Sequence, residues 1–222
     1  MIERYTRPEM GHLWSIQNEW QTILNVEIAA CEAMAELGEI PAAAVENIKK
    51  NAKFDVARIN EIEKVTDHDI IAFLTNLEEN VGEDSKYIHK GLTSSDVKDT
   101  AYCIMMRDAA AIILDDLRAF RTVLRRRADE FRHTPCIGRT HGIHAEPMTF
   151  GLKMLLWSAE IERDIERLMR AQETVSVGKL SGAVGTYSNI DPRIEELTCK
   201  RLGLTPVRLA TQVIQRDRHA EF

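Results

Sequence analysis

Paired cysteines, long apolar runs and an excess of positive charge are all absent from the 222 residues. The four cysteines are far apart and form no Cys-x-x-Cys pair, which predicts reduced thiols rather than a disulfide or zinc framework. No apolar run approaches the roughly 18 residues that a membrane span needs. The net charge of −6 argues against a nucleic-acid partner, which requires a broad basic surface. We therefore expect a soluble, cytoplasmic protein with no membrane or nucleic-acid partner, and a small anionic substrate is compatible with this charge.

Apolar residues recur at three- and four-residue spacing along most of the chain, which predicts an all-α fold with little strand. The expected helices cover residues 15–37, 42–51, 55–65, 67–82, 95–131, 147–175 and 191–202, with another starting near Thr211. Residues 1–92 should form a small helical domain, and residues 93–222 the first part of an elongated helical bundle. Helices of this length predict oligomerisation, because one chain cannot cover all their apolar faces. No glycine, proline or polar tail ends the last helix, so we expect a truncated chain whose natural C-terminus lies beyond Phe222.

Two polar segments stand at predicted helix starts. In TDHD, Asp67 is a suitable N-cap and Asp69 complements the helix dipole. Neither role explains His68, which could donate to an anionic ligand or modulate another acid–base group. In TSSD, Thr93 and Ser94 could simply cap the following helix, or they could offer hydroxyl and backbone donors to an anion.

The segment GRTHGIHAEP separates the two longest predicted helices. Its histidines, His141 and His144, are spaced like metal ligands, but no third ligand is apparent and Gly142 disfavours a regular helix, so we expect no metal. A polar bend between helices and a catalytic or substrate-binding His141 both remain open. We expect Pro147 in the first turn of the following helix.

The glycines of GKLSGAVGTY match neither phosphate-binding signature, GxxxxGK[ST] or GxGxxG, and predict close backbone packing or a tight bend instead. No nucleophile elbow or paired-carboxylate pattern is present.

Taken in order, six segments resemble those of the fumarase/aspartase superfamily, and specifically its adenylosuccinate lyase family. They are MIERYTRPEM, TDHDI, KYIHKGLTSSD, GRTHGIHAEPMTFG, GKLSGAVGTY and ATQVIQRDRHAEF. The resemblance implies three mostly helical domains, a homotetramer with sites shared between subunits, and no metal or organic cofactor. It implies elimination of fumarate from adenylosuccinate to give AMP, and from SAICAR to give AICAR.

The resemblance also implies residue roles. His141 corresponds to the general acid, and His68 to a histidine that assists near the substrate phosphate. The remaining counterparts bind substrate: Thr93 and Ser94 at the succinyl carboxylate with Thr140 beside His141, Arg4 and Tyr5 at the nucleotide, and Gln212, Asp69 and Lys86 elsewhere. His89, Ser181 and Arg216 should lie near the site, and His144 should be structural.

One family feature has no counterpart in these residues. The general base of the family is a serine in a loop of the form SSxMPxKxN, which does not occur here, and Ser94 and Ser95 belong to a different loop. We therefore predict that the 222-residue chain alone cannot complete the elimination. Two alternatives stay open: another fumarate-releasing lyase, of argininosuccinate or carboxymuconate type, and a non-catalytic helical scaffold of the same fold.

Overall fold

A computed structural model describes residues 2–222. Over that range the chain is mostly helical, as predicted, with two short 3-10 helices at Glu3–Tyr5 and Gly82–Tyr87. The α-helices are α1 Pro8–Leu13, α2 Ile16–Glu36, α3 Ala42–Asn51, α4 Val56–Thr66, α5 Asp69–Val81, α6 Ser94–Glu130, α7 Phe150–Val175, α8 Pro192–Leu202 and α9 Asp217–Glu221. The strands are β1 Pro135–Thr140, β2 Ile143–Thr149, β3 Val177–Gly178 and β4 Thr205–Pro206.

Several predicted helix starts are confirmed by their caps. The Ser15 hydroxyl accepts a hydrogen bond from the Asn18 amide at 3.2 Å, so α2 begins where the sequence indicates. The side chains of Asp55 and Asp191 cap α4 and α8 in the same way. Gly38 then follows α2 with a φ of 76°, a conformation that favours glycine.

The N-cap of α5 differs from the prediction. Asp67 has a φ of 48° and ends α4, whereas His68 caps α5 by accepting the Ile71 amide on its Nδ1 atom at 3.3 Å. The physical reason is the short connection: α4 continues through Thr66, which leaves one residue to reverse direction in the left-handed region and the next to cap.

GRTHGIHAEP forms most of a β-hairpin, and Pro147 does not open a helix. Pro147 lies in β2 opposite Ile137, and Thr149 caps α7 by accepting the Leu152 amide at 3.3 Å. A two-stranded hairpin consists only of edge strands, where proline is tolerated because its missing N–H need not be paired.

The helix expected from Thr211 starts only at Asp217. The preceding backbone is bonded elsewhere: the Val207 amide donates to the Gly178 carbonyl at 2.9 Å, and the Ile214 amide to the Asp99 carboxylate at 2.8 Å. The Ile214 bond lies within the expected helix, and it fixes the residues before Asp217 to α6 in place of a helical turn.

The long helices α6 and α7 pack as an antiparallel pair. Gly151 at the start of α7 meets Ala128 near the end of α6, and the Gln172 side chain near the end of α7 donates to the Arg107 carbonyl at 2.9 Å. The main hydrophobic cluster combines residues from both sides of residue 92, including Phe73, Val97 and Ile194. The division into domains at that residue stays a prediction.

Apolar side chains remain exposed along α6 and α7: Ile113, Phe120, Val123, Leu152, Leu155, Leu156, Trp157 and Met169. The residues that the structure describes contain no helix long and apolar enough to cross a bilayer.

Candidate active site

The N-terminus of α6 carries Thr93 and Ser94. Thr93 is the N-cap, with φ −121° and ψ 159°, and its amide donates to the Asp96 carboxylate at 2.9 Å. An acid three residues after the cap forms half of a capping box, which holds the first turn in register. The first-turn amides and the positive end of a 37-residue helix make this a suitable place for a carboxylate or phosphate.

His68 and Asp69 are brought to the same end of α6. Asp69 forms an ion pair with Lys98, one turn beyond Ser94. Burial raises the pKa of Asp69, but the hydrogen bonds from Lys98 and the Ile70 amide and the charge of Lys98 outweigh this and lower it overall. Because the His68 Nδ1 atom accepts the Ile71 amide, the neutral ring carries its proton on Nε2, with the side chain 45% exposed. His68 can therefore offer a donor to solvent or to a ligand.

The glycine-rich segment packs against the approach to α6. A Cβ atom on Gly91 would lie 2.2 Å from the Asn189 carbonyl oxygen, and one on Gly185 would lie 2.1 Å from that of Ala210. Both glycines also have positive φ, of 75° and 79°. The predicted role of close backbone packing is thus confirmed, and the segment links the Thr93 region to the segment that carries Gln212.

Gln212 is exposed on that neighbouring segment, which Asp99 of α6 holds in place. The Asp99 carboxylate accepts the Ile214 amide at 2.8 Å and pairs with both terminal nitrogens of Arg216 at 3.0 Å. A surface cleft of about 400 Å³ lies here, lined by Glu19, Lys98, Asp99, Tyr102, Arg216 and His219. Arg216 therefore lies near the α6 N-terminus, as expected.

Three predicted substrate-binding residues are exposed and make no described contact with the first turn of α6: Arg4, Tyr5 and Lys86. The Lys86 ammonium lies 5.2 Å from the Tyr87 ring centroid, and the Arg4 guanidinium lies 4.7 Å from that of Tyr5. The nearby Arg7 pairs with Asp116, which is about 33 Å along α6 from Ser94 at the usual helical rise.

His141 and Thr140 lie at the other end of α6. His141 and Gly142 form the two-residue turn of the β1–β2 hairpin, with φ values of 53° and 75°, and His141 is exposed at its tip. Positive φ at both positions is the signature of a type I′ turn. Helix α6 is about 55 Å long, and a six-residue strand reaches back only about 20 Å. His141 is consequently tens of ångströms from Thr93, Ser94 and His68 of the same chain.

Several residues that build this site escaped prediction. They are Lys98, which contacts Asp69, Lys179, which contacts Asp96, and Glu27, which contacts His89. In each pair the two residues are at least 29 positions apart in the sequence. A local signal existed for Asp96, an acid at the third helical position, and for Glu27, an acid within the apolar stripe of α2. Lys98 and Lys179 carry no such signal in the sequence. Among residues 2–222, no group of three histidine, cysteine, aspartate or glutamate side chains is placed to hold a metal ion.

Comparison with known proteins places this mostly helical chain in a family. Residues 3–222 match the family described as lyase, and the chain belongs to this family. Across all 222 residues it is 54% identical to adenylosuccinate lyase from Synechocystis sp. and 51% identical to that from Bacillus subtilis. The chain spans about half the length of these curated relatives, 52% in each case.

Solved structures agree with this placement. A fumarate lyase from Mesorhizobium sp. superposes with a TM-score of 0.89 at 30% identity, covering 96% of this chain and 52% of that one. The 3-carboxy-cis,cis-muconate lactonizing enzyme from Pseudomonas putida gives a TM-score of 0.91 at 28% identity, covering 98% of this chain and 52% of that one. The predicted resemblance to adenylosuccinate lyases is confirmed by these comparisons.

Proposed function

We propose that this chain provides the N-terminal half of an adenylosuccinate lyase of purine nucleotide biosynthesis. The reaction removes fumarate from adenylosuccinate, leaving AMP, and from SAICAR, leaving AICAR. The observation that carries the proposal is the Asp69–Lys98 ion pair, because it joins the His68 segment to the Thr93–Ser94 turn. The high identity to relatives with this activity supports the choice of substrate.

The chemistry assigns a role to each part. A base removes a proton from the succinyl Cβ, and the electron pair that is left delocalises into the adjacent carboxylate. The hydroxyls of Thr93 and Ser94 and the Ser94 amide stabilise that negative charge, because the start of α6 holds them in place before the reaction begins. The C–N bond then breaks, and the His141 imidazolium gives a proton to the departing nitrogen while fumarate leaves. His68 assists near the phosphate, Arg4 and Tyr5 contact the nucleotide, and Asp69, Lys86, Thr140 and Gln212 complete substrate binding.

The partner is a second copy of the chain. His141 and Thr93 are at opposite ends of a helix about 55 Å long, so one molecule cannot present both to one substrate. Neighbouring copies whose long helices run in opposite directions would bring the hairpin of one chain to the α6 N-terminus of another. The exposed apolar side chains of α6 and α7 supply a surface for that packing, and we propose a homotetramer for the whole enzyme.

The cytoplasm is the proposed compartment. All four cysteines are free thiols, and Cys31, Cys103 and Cys199 are buried. Unpaired thiols are typical of reducing compartments.

A chimera tests the proposal. Residues 1–222 would replace the matching half of the Bacillus subtilis relative, so that the second half supplies the serine loop. We expect AMP and fumarate from adenylosuccinate, loss of this activity in Thr93→Ala, and no turnover by the 222-residue chain alone. A folded chimera that releases product only from argininosuccinate, or that cyclises carboxymuconate, would identify a different superfamily activity. A folded chimera without turnover or nucleotide affinity would identify a scaffold.

A further inference from the structure

Lys179 and Asp96 form an ion pair that is fully shielded from solvent. The Lys179 ammonium lies 2.6 Å from Asp96 Oδ1, and both side chains are 0% exposed. Asp96 also accepts the Thr93 amide at 2.9 Å, the Ser181 amide at 3.2 Å and the Gly182 amide at 3.1 Å. One carboxylate thus joins the cap of α6 to the glycine-rich segment.

Lys179 is held on its own side by further bonds. Its ammonium donates to the Gly182 carbonyl at 2.7 Å, and its amide donates to the Thr100 hydroxyl at 3.0 Å. The next residue is tied to α8, because the Leu180 amide donates to the buried Glu195 carboxylate at 2.6 Å. The charged end of Lys179 therefore has a fixed position between α6 and the glycine-rich segment, and the following residue ties that segment to α8.

Stability alone is a weak explanation for this pair. Burying two charges costs several kcal/mol, and buried pairs can often be replaced by apolar residues of similar volume without loss of stability. What an apolar pair could not do is fix the position of the Thr93 amide, since only an acceptor at position 96 can bond it while also bonding residues 181 and 182. The geometry thus favours a positional role.

We propose that Lys179 is a positioning residue, which fixes the Asp96 carboxylate and thereby holds the Thr93–Ser94 turn in the geometry that binds the substrate carboxylate. This inference rests on the proposed function for its kinetic part. Its structural part, that Lys179 orders the first turn of α6, stands independently. The two parts are tested separately.

The structural part is tested by hydrogen exchange on the 222-residue chain. In Lys179→Met we expect amide exchange in residues 93–98 and 179–183 to rise by about tenfold or more, because Asp96 loses its charged partner. Exchange in α3 should stay unchanged. Lys49→Met is the control, because Lys49 of α3 also pairs with a carboxylate, that of Glu32, but lies near the surface and outside this network. It should leave exchange in residues 93–98 and 179–183 unchanged.

The kinetic part is tested in the chimera. Lys179→Met should raise KM for adenylosuccinate about tenfold with a much smaller change in kcat, the pattern of lost substrate binding. In Lys179→Met the buried Asp96 carboxylate has no cationic partner, and this alone could unfold the protein. The double variant Asp96→Asn/Lys179→Met removes that unpaired charge. It should recover stability but keep the high KM and the fast exchange, because the carboxylate that bonds the three amides is gone.

Three results decide the inference. A uniform rise in exchange across the chain, or an unchanged KM in Lys179→Met, would overturn it. Recovery of both slow exchange and normal KM in the double variant would also overturn it, because the pair would then only neutralise its own charge. If the parent chimera is folded but inactive, the proposed function fails, and the exchange data still decide whether Lys179 orders the turn.

Discussion

The Nδ1 atom of His89 lies 2.6 Å from Oε1 of Glu27, and the Glu27 side chain is only 1% exposed. The same carboxylate accepts the His89 amide at 3.0 Å, which holds the residue at a φ of 63°. Burial lowers the pKa of His89, but the hydrogen bond and charge of Glu27, with a smaller contribution from Asp96, outweigh this and raise it above 6.5. The fold therefore favours the imidazolium form.

A pH dependence of stability follows from this pair. A histidine with a raised pKa stabilises the fold fully below the unfolded pKa, and this contribution is lost as pH rises through the folded pKa. Urea unfolding of the 222-residue chain should show a free energy that declines above about pH 6.5. Glu27→Gln should cost about 1 to 3 kcal/mol at lower pH and should remove much of that decline.

Glu32→Gln is the matched control for this experiment. Glu32 lies on the same helix but is 30% exposed and pairs with Lys49 near the surface. It should leave the decline above pH 6.5 in place. A parent chain whose stability rises across this pH range, or a Glu27→Gln chain with the same profile as the parent, would contradict the account.

Helix α3 is predicted correctly from the sequence, whereas the N-cap of α5 is not. The apolar spacing of residues 42–51, after Pro41, predicts α3 with its observed bounds, because such a pattern depends only on neighbouring residues. Asp67 and His68 are both able to cap, and the choice between them depends on where α4 stops. Pro147 is equally ambiguous, since proline suits both a first helical turn and an edge strand.

The candidate site depends even more on contacts that the sequence does not predict. Family segments indicate Thr93, His68 and His141, but no sequence pattern pairs Asp96 with Lys179 across 83 positions or Asp99 with Arg216 across 117. Such pairs are set by how α6 packs against the later segments. The separation of His141 from Thr93 likewise follows from the length of α6 and from the hairpin beyond it.

His141 and His144 share one hairpin and allow a matched comparison. In the chimera, His141→Ala should lower kcat for adenylosuccinate by about 10²- to 10⁴-fold, the usual contribution of a general acid. His144→Ala, also exposed on the hairpin, should change it by less than about threefold. Thermal unfolding should be nearly unchanged in both. Equal losses in the two variants would instead assign the hairpin a structural role.

Gly151 should be essential to the crossing of α6 and α7. An added Cβ would lie 2.4 Å from the Ala128 carbonyl oxygen and 2.7 Å from the Arg132 Cα, both backbone atoms that cannot move independently. Gly151→Ala should therefore lower the free energy of unfolding by about 1 to 3 kcal/mol, as overpacking does. Leu152→Ala, on the same turn but 55% exposed, should cost less than about 0.5 kcal/mol. Urea titration of the 222-residue chain measures both.

A shared site predicts complementation between two inactive chimeras. His141→Ala damages the hairpin end of each chain and Thr93→Ala damages the α6 end, so each homo-oligomer lacks one component in every site. When the two are unfolded and refolded together, some sites receive an intact hairpin from one chain and an intact α6 N-terminus from another. Activity should therefore reappear in the mixture, although neither parent recovers any when refolded alone. If both ends belonged to a site within one chain, every site would keep one defect and the mixture would stay inactive, which would refute the shared arrangement.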